Sequence, residues 1–148
     1  GGTASAAVPW ASFLAYDLNK PMVYIKQNRK GYGADKLVEG TMVKGARVLI
    51  VEDLISTGGS ATRAAEACTN EFGAHVVGVL AIFTYEMEEA KLTFSQVPFP
   101  LYTLTDFHTL IDVATEEKYL SEEDKAEALR WSQDPRGWHT EYIAKHLA

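Results

Sequence analysis

Residues 48–65 read VLIVEDLISTGGSATRAA, and no other stretch narrows the choice of fold so far. Arg47 to Val51 is an unbroken aliphatic, largely β-branched run, the pattern of a strand covered on both faces. It ends in two adjacent acids, Glu52 and Asp53, and a hydroxyl-rich turn with a Gly-Gly pair follows. From Ser60 onward Ala61, Ala64, Ala65, Cys68 and Phe72 share one helical face, and Gly73 supplies a left-handed residue at the helix end. A buried strand leading through a tight turn into such a helix is half of a parallel crossover unit. The chain is therefore expected to form a layered α/β domain with ligands at the carboxyl ends of its strands.

The flanking sequence supplies the other elements. Pro9 predicts a helix start, with Trp10, Phe13, Leu14 and Leu18 at helical spacing and Asn19 and Pro21 as its stop. Met22 to Lys26 is a short β-rich run. The polar, glycine-bearing segment 27–37 has neither period and reads as a mobile loop. Glu39 to Val43 is a further short strand candidate. His75 to Tyr85 is a second doubly buried run, then a helix is expected around Glu88 to Gln96 and a strand from Pro100 to Leu104. Phe107, Leu110, Ile111 and Ala114 mark another helix. Ser121 and Asp124 form a capping box for the helix carrying Ala128, Leu129 and Trp131, and Trp138 to Leu147 reads as a last helix.

Composition excludes several classes. Of the 148 residues 47% are hydrophobic and 23% charged, which suits one globular domain. The longest apolar run, Val76 to Phe83, is far short of the ~20 residues of a membrane span. The single cysteine, Cys68, points to a reducing, cytoplasmic setting, and the opening Gly1-Gly2-Thr3 carries no secretory signal. Net charge is −6, but residues 20–47 hold seven basic against two acidic residues while everything after Arg47 holds seven against seventeen. Such a body is a poor nucleic-acid surface; its cationic strip suits one small, highly charged anion.

Backbone N–H groups of Ser56, Thr57, Gly58, Gly59 and Ser60, with the positive end of the following helix, make a phosphate seat to which the hydroxyls add donors. Neither GxxxxGK[ST] nor GxGxxG is present. Two acids beside a phosphate repel it unless they bind something polar, such as vicinal hydroxyls, a developing cation or hydrated Mg²⁺. A sugar phosphate meets all of these requirements.

The segment resembles the phosphoribosyl pyrophosphate (PRPP) motif of type I phosphoribosyltransferases, and its flanks are similar to orotate phosphoribosyltransferases. GGTASAAVPWA resembles their pyrophosphate-binding loop and following helix, YIKQNRKGYGADKLVEG their mobile catalytic loop, and GVLAIFTYE a strand of the bacterial members. The likeness runs from residue 2 to about 115. It implies a Rossmann-like parallel sheet flanked by helices and a glycosyltransferase of pyrimidine biosynthesis. That enzyme passes the 5-phosphoribosyl group of PRPP to orotate, with Mg²⁺, in a homodimer with shared active sites. By position, Glu52 and Asp53 would contact the ribose hydroxyls and stabilise positive charge on the ring, and Ser56 to Ser60 would hold the 5′-phosphate. Thr3, Ala4, Ser5 and Ala6 would face pyrophosphate together with Lys26 and Tyr32. Lys30 would reach into the neighbouring subunit's site to neutralise the leaving group.

The chain departs from that pattern at Tyr32, where many members have histidine, at Lys26, where arginine is common, and at Ala6, where some have lysine. Tyr32 can donate a hydrogen bond but carries no imidazolium-like proton at neutral pH. The resemblance also implies an amino-terminal region that forms part of the orotate hood and begins the core sheet. Residues 1–148 lack it, so they are expected to be a single core domain from a partial chain.

Bland roles account for the rest. Tyr24, Phe83, Tyr85 and Phe107 read as core, Cys68 as inert packing, and Trp131 and Trp138 as packing of the carboxyl-terminal helices. His75, His108, His139 and His146 show no ligand spacing, and no metal site is assigned on protein side chains. The alternatives to an orotate enzyme are a transferase for another nucleobase and a regulator that binds PRPP without turning it over.

Overall fold

The computed structural model describes residues 1–28 and 36–146. Lys30, Tyr32 and most of the expected 27–37 loop lie outside the described residues. Six strands form one sheet, β1 (Gly2–Thr3), β2 (Tyr24–Ile25), β3 (Val38–Glu39), β4 (Arg47–Ile55), β5 (His75–Thr84) and β6 (Leu101–Asp106), in the order β3-β2-β1-β4-β5-β6. Every pairing is parallel except β2 with β3. The helices are α1 (Ala7–Asp17), α2 (Gly59–Phe72), α3 (Glu88–Ser95), α4 (Phe107–Glu116), α5 (Glu122–Gln133) and α6 (Pro135–His146). The expected α/β class and the helix-covered parallel sheet are observed.

The core lies where α2 meets the sheet. Ala61, Ala64, Ala65 and Cys68 of α2 pack on Ile25, Val48, Ile50, Val79 and Ala81, all buried. Alanines on this face let the helix approach the strands closely, and dense packing follows. Glu71, also on α2, accepts hydrogen bonds from the backbone N–H groups of Leu37 (2.8 Å) and Val38 (3.1 Å), which fastens β3 beneath the helix. Gly73 has φ +62° and ends α2 as expected. The Ser121–Asp124 capping box is present in both directions, at 3.1 Å and 3.0 Å. Trp131 meets Tyr85 and Phe107 at centroid distances of 5.5 Å and 5.4 Å, so it does pack the carboxyl-terminal helices against the strand ends.

Several boundaries differ from the expectation, each for a tertiary reason. Gly2 and Thr3, which the resemblance places in the pyrophosphate-binding loop, form an interior strand between β2 and β4. A two-residue strand starting with glycine has no propensity signal; neighbours on both sides impose it. A Cβ on Gly2 would stand 2.8 Å from the Ala11 Cβ, so α1 sits directly on β1. Helix α1 starts two residues before Pro9 and buries the small Ala7 and Ala11, and of the helically spaced apolar residues Trp10 (47%), Phe13 (65%) and Leu18 (59%), just past its end, are exposed. β3 lies at Val38–Glu39 and meets the expected 39–43 span only at Glu39, since Gly40 (φ +119°) ends it. β4 does not stop at Val51 but pairs with β5 as far as Ile55 opposite Thr84, which places both acids inside the strand. Its cover is also incomplete, because Leu49 and Leu54 are partly exposed.

Candidate functional site

The carboxyl ends of β1 and β4 and the amino end of α2 meet at one place. Ser56, Thr57 and Gly58 make the turn. Gly58 has φ +83°, and a Cβ there would lie 2.8 Å from Cε2 of Phe94 on α3. Glycine is thus required twice, for backbone conformation and for space. No side chain caps α2, so the N–H groups at its start have no partner within the helix, an arrangement that suits an anion. Thr62 braces the turn, donating from Oγ1 to the Gly58 and Gly59 carbonyls at 3.2 Å.

The acids divide the work. Successive residues of a strand project to opposite faces, so Glu52 and Asp53 are not one clamp. Glu52 is only 5% exposed and its Oε1 has no hydrogen-bond partner. Burial pushes its carboxyl above the usual glutamate range, and Asp53 adds to that; Thr3 and Arg63 pull it partly back. Asp53 is half-buried. A buried carboxylate oxygen with an open acceptor suits a sugar hydroxyl or a hydrated cation.

The β1–α1 turn forms the opposite wall. Thr3 is buried, with Oγ1 donating to the Val51 carbonyl at 3.0 Å, and the Ala4 N–H is committed to the Ile25 carbonyl at 2.7 Å. The Ala4–Ser5 peptide is cis; Ser5 and Ala6 are exposed, and Ala6 precedes α1. Lys26, just past β2, holds Glu39 through a 3.1 Å ion pair. It lines a recess of about 310 Å³ with Ala4, Gln27 and Asn28, and a narrow one with Thr3, Gln27, Ser60 and Arg63. The fold therefore gathers Thr3, Ala4, Lys26, Glu52, Asp53 and the 56–60 turn at one end of the sheet.

Two features escaped the sequence reading. Arg63 lies over the seat, with Nη2 3.3 Å from Ser60 Oγ; the i, i+3 spacing at a helix start was the available signal. Glu86, Asp106 and His108 come within 4.8 Å of one another through one ligand atom each, so they could hold a cation. Asp106 and His108 sit two residues apart at the β6–α4 junction, and only the fold brings Glu86, from the segment after β5, beside them. Their atoms already serve the fold: His108 pairs with Glu86 at 2.5 Å, and Asp106 caps α4 by accepting from the Thr109 N–H at 2.7 Å. A recess of about 520 Å³ between α5 and α6 includes none of the residues of the 56–60 turn. No helix among the described residues is long and apolar enough to cross a membrane.

A family model described as a phosphoribosyl transferase domain matches residues 2–94. Orotate phosphoribosyltransferases of Enterococcus faecalis and Staphylococcus aureus are 44% and 45% identical to the chain over 137 and 130 residues. The matches cover 93% and 88% of this chain but 65% and 64% of those proteins, so the chain spans just under two thirds of their length. Among solved structures, UMP synthase of Leishmania donovani superposes with a TM-score of 0.72 at 25% identity, covering 88% of this chain and 28% of that one. Orotate phosphoribosyltransferase of Aeropyrum pernix gives 0.68 at 28% identity, covering 81% and 64%.

Proposed function

The chain belongs to the phosphoribosyl transferase domain family, and on that premise we propose that it transfers the 5-phosphoribosyl group of PRPP to N1 of orotate. The products are orotidine 5′-monophosphate and pyrophosphate. The observation that carries this reading is the uncapped start of α2 behind the 56–60 turn, set beside a buried carboxylate with an open oxygen. The 44–45% identity to orotate phosphoribosyltransferases supports orotate over other bases.

In this reading the 5′-phosphate rests on the N–H groups and hydroxyls of Ser56 to Ser60, fixed by a turn that Gly58 and Phe94 hold rigid. The anomeric carbon then lies near β4. As the C1–oxygen bond to pyrophosphate breaks, the bonding pair leaves with the diphosphate, positive charge grows on the ring, and N1 of orotate bonds to C1 as its N1–H proton passes to the departing diphosphate. Asp53 and the ionised form of Glu52 put negative charge at that place, and a preorganised charge stabilises such a transition state without reorganising. Thr3 to Ala6 and Lys26 border the diphosphate end. Lys30 and Tyr32, outside the described residues, complete the proposal as loop groups, with Lys30 serving the partner subunit of a cytoplasmic homodimer. The unpartnered Glu52 oxygen could accept from a water of a hydrated Mg²⁺. Bound with PRPP, that ion would offset the charge of the diphosphate.

Loss of orotate absorbance in a mixture of protein, orotate, PRPP and Mg²⁺ tests the proposal. Turnover with orotate and none with purine bases is the expected result. Thermal stabilisation by PRPP without consumption of any base would instead identify a PRPP-binding regulator.

A further inference from the structure

Arg63 is the one basic residue that α2 carries, and its position is hard to explain as surface decoration. Its guanidinium folds back over the helix start: Nη2 donates to Ser60 Oγ at 3.3 Å, and Nη1 lies 3.2 Å from where a Cβ on Gly59 would stand. The residue is exposed, and no salt bridge is recorded for it among the described residues, although Lys26 across the recess is held by Glu39. Its charge also acts on the buried Glu52 carboxylate, whose Oε1 has no hydrogen-bond partner. Arg63 and Lys26 thus face each other across the narrow recess whose other walls are Thr3, Gln27 and Ser60. The helix start alone can serve one phosphate. A guanidinium beside it, with planar donors free to bind two oxygens at once, suits a second phosphoryl group.

We propose that Arg63 is a specificity residue of this site: its guanidinium binds the diphosphate end of PRPP and so distinguishes the diphosphate sugar from a plain sugar phosphate. The proposal rests on the phosphoribosyl transfer reading and adds the group that recognises the leaving half of the substrate. Lys26, already paired with Glu39, would supply the opposite wall with a weaker pull.

Calorimetric titration of the full chain with magnesium pyrophosphate and, separately, with ribose 5-phosphate tests it. Arg63→Ala should weaken pyrophosphate binding about tenfold, the scale of one lost charge-assisted hydrogen bond, and leave ribose 5-phosphate within about twofold. Arg63→Lys should recover part of the loss, since a point charge remains but the planar fork does not. The exposed position of Arg63 leaves the fold intact, which circular dichroism checks. Equal pyrophosphate affinity in the wild type and Arg63→Ala would overturn the proposal. So would an equal loss for both ligands, which would make Arg63 a brace for the turn. Should the wild type bind ribose 5-phosphate but not pyrophosphate, this inference alone fails. Should it bind neither, the phosphoribosyl transfer reading fails with it.

Discussion

Glu52 occupies a place where its charge is costly. Burial raises its carboxyl above the usual glutamate range, so the folded state holds its proton more tightly than the unfolded chain does. Stability from this group is complete at pH below the ordinary glutamate value and is lost as pH rises through the elevated one. Glu52→Gln should therefore gain stability over wild type as pH rises above the ordinary glutamate range, and show a flatter dependence of Tm on pH there. An unchanged Tm profile would mean that Glu52 is solvated in the folded protein. Asp53 invites a kinetic test. Asp53→Asn should lower turnover by about tenfold or more while PRPP affinity changes by about twofold at most, because its charge matters most once the ring is cationic. Parallel kcat and Kd measurements check this, and equal turnover would remove Asp53 from the chemistry.

At the scale of elements, two glycines bracket α2 and have different duties. Gly73 (φ +62°) has room for a Cβ, 3.5 Å from Lys44 Cγ. Gly73→Ala should cost only the left-handed backbone penalty, about 1–2 kcal/mol by urea denaturation, with ribose 5-phosphate binding retained. Gly58→Ala meets the same penalty and the Phe94 ring as well, so a loss of about 2–4 kcal/mol is expected together with loss of the phosphate seat. If Gly58→Ala binds ribose 5-phosphate normally, the turn is not the seat. Ser121→Ala removes half of a capping box far along the chain and should cost about 1 kcal/mol without touching ligand binding. Such a contrast separates helix stability from site geometry. The α2 face and both of its ends were legible in the sequence because they follow helical period and backbone chemistry. The ends of β4 were not: Glu52 to Ile55 are extended because Ala81 to Thr84 pair with them, and pairing partners remote in sequence leave no local mark.

At the scale of the whole molecule, the proposed shared site can be tested by mixing subunits. Combining Lys30→Ala with Asp53→Asn protein should restore about one quarter of wild-type sites at equal, random exchange, since half the dimers are hybrids with one intact site each. No recovery would confine each site to its own subunit. The chain's own residues determined the α/β class, the glycine turn before α2, the acidic pair and the ends of α2, because alternation, period and glycine conformation are local physics written within a few residues. Only the tertiary structure decided that Gly2–Thr3 is an interior strand, that α1 turns its alanines inward and leaves Phe13 outside, that one Glu52 oxygen has no partner, and that Arg63 meets Lys26 across a recess. Each of these depends on close approach between segments remote in the sequence, where sterics and desolvation outweigh intrinsic propensity.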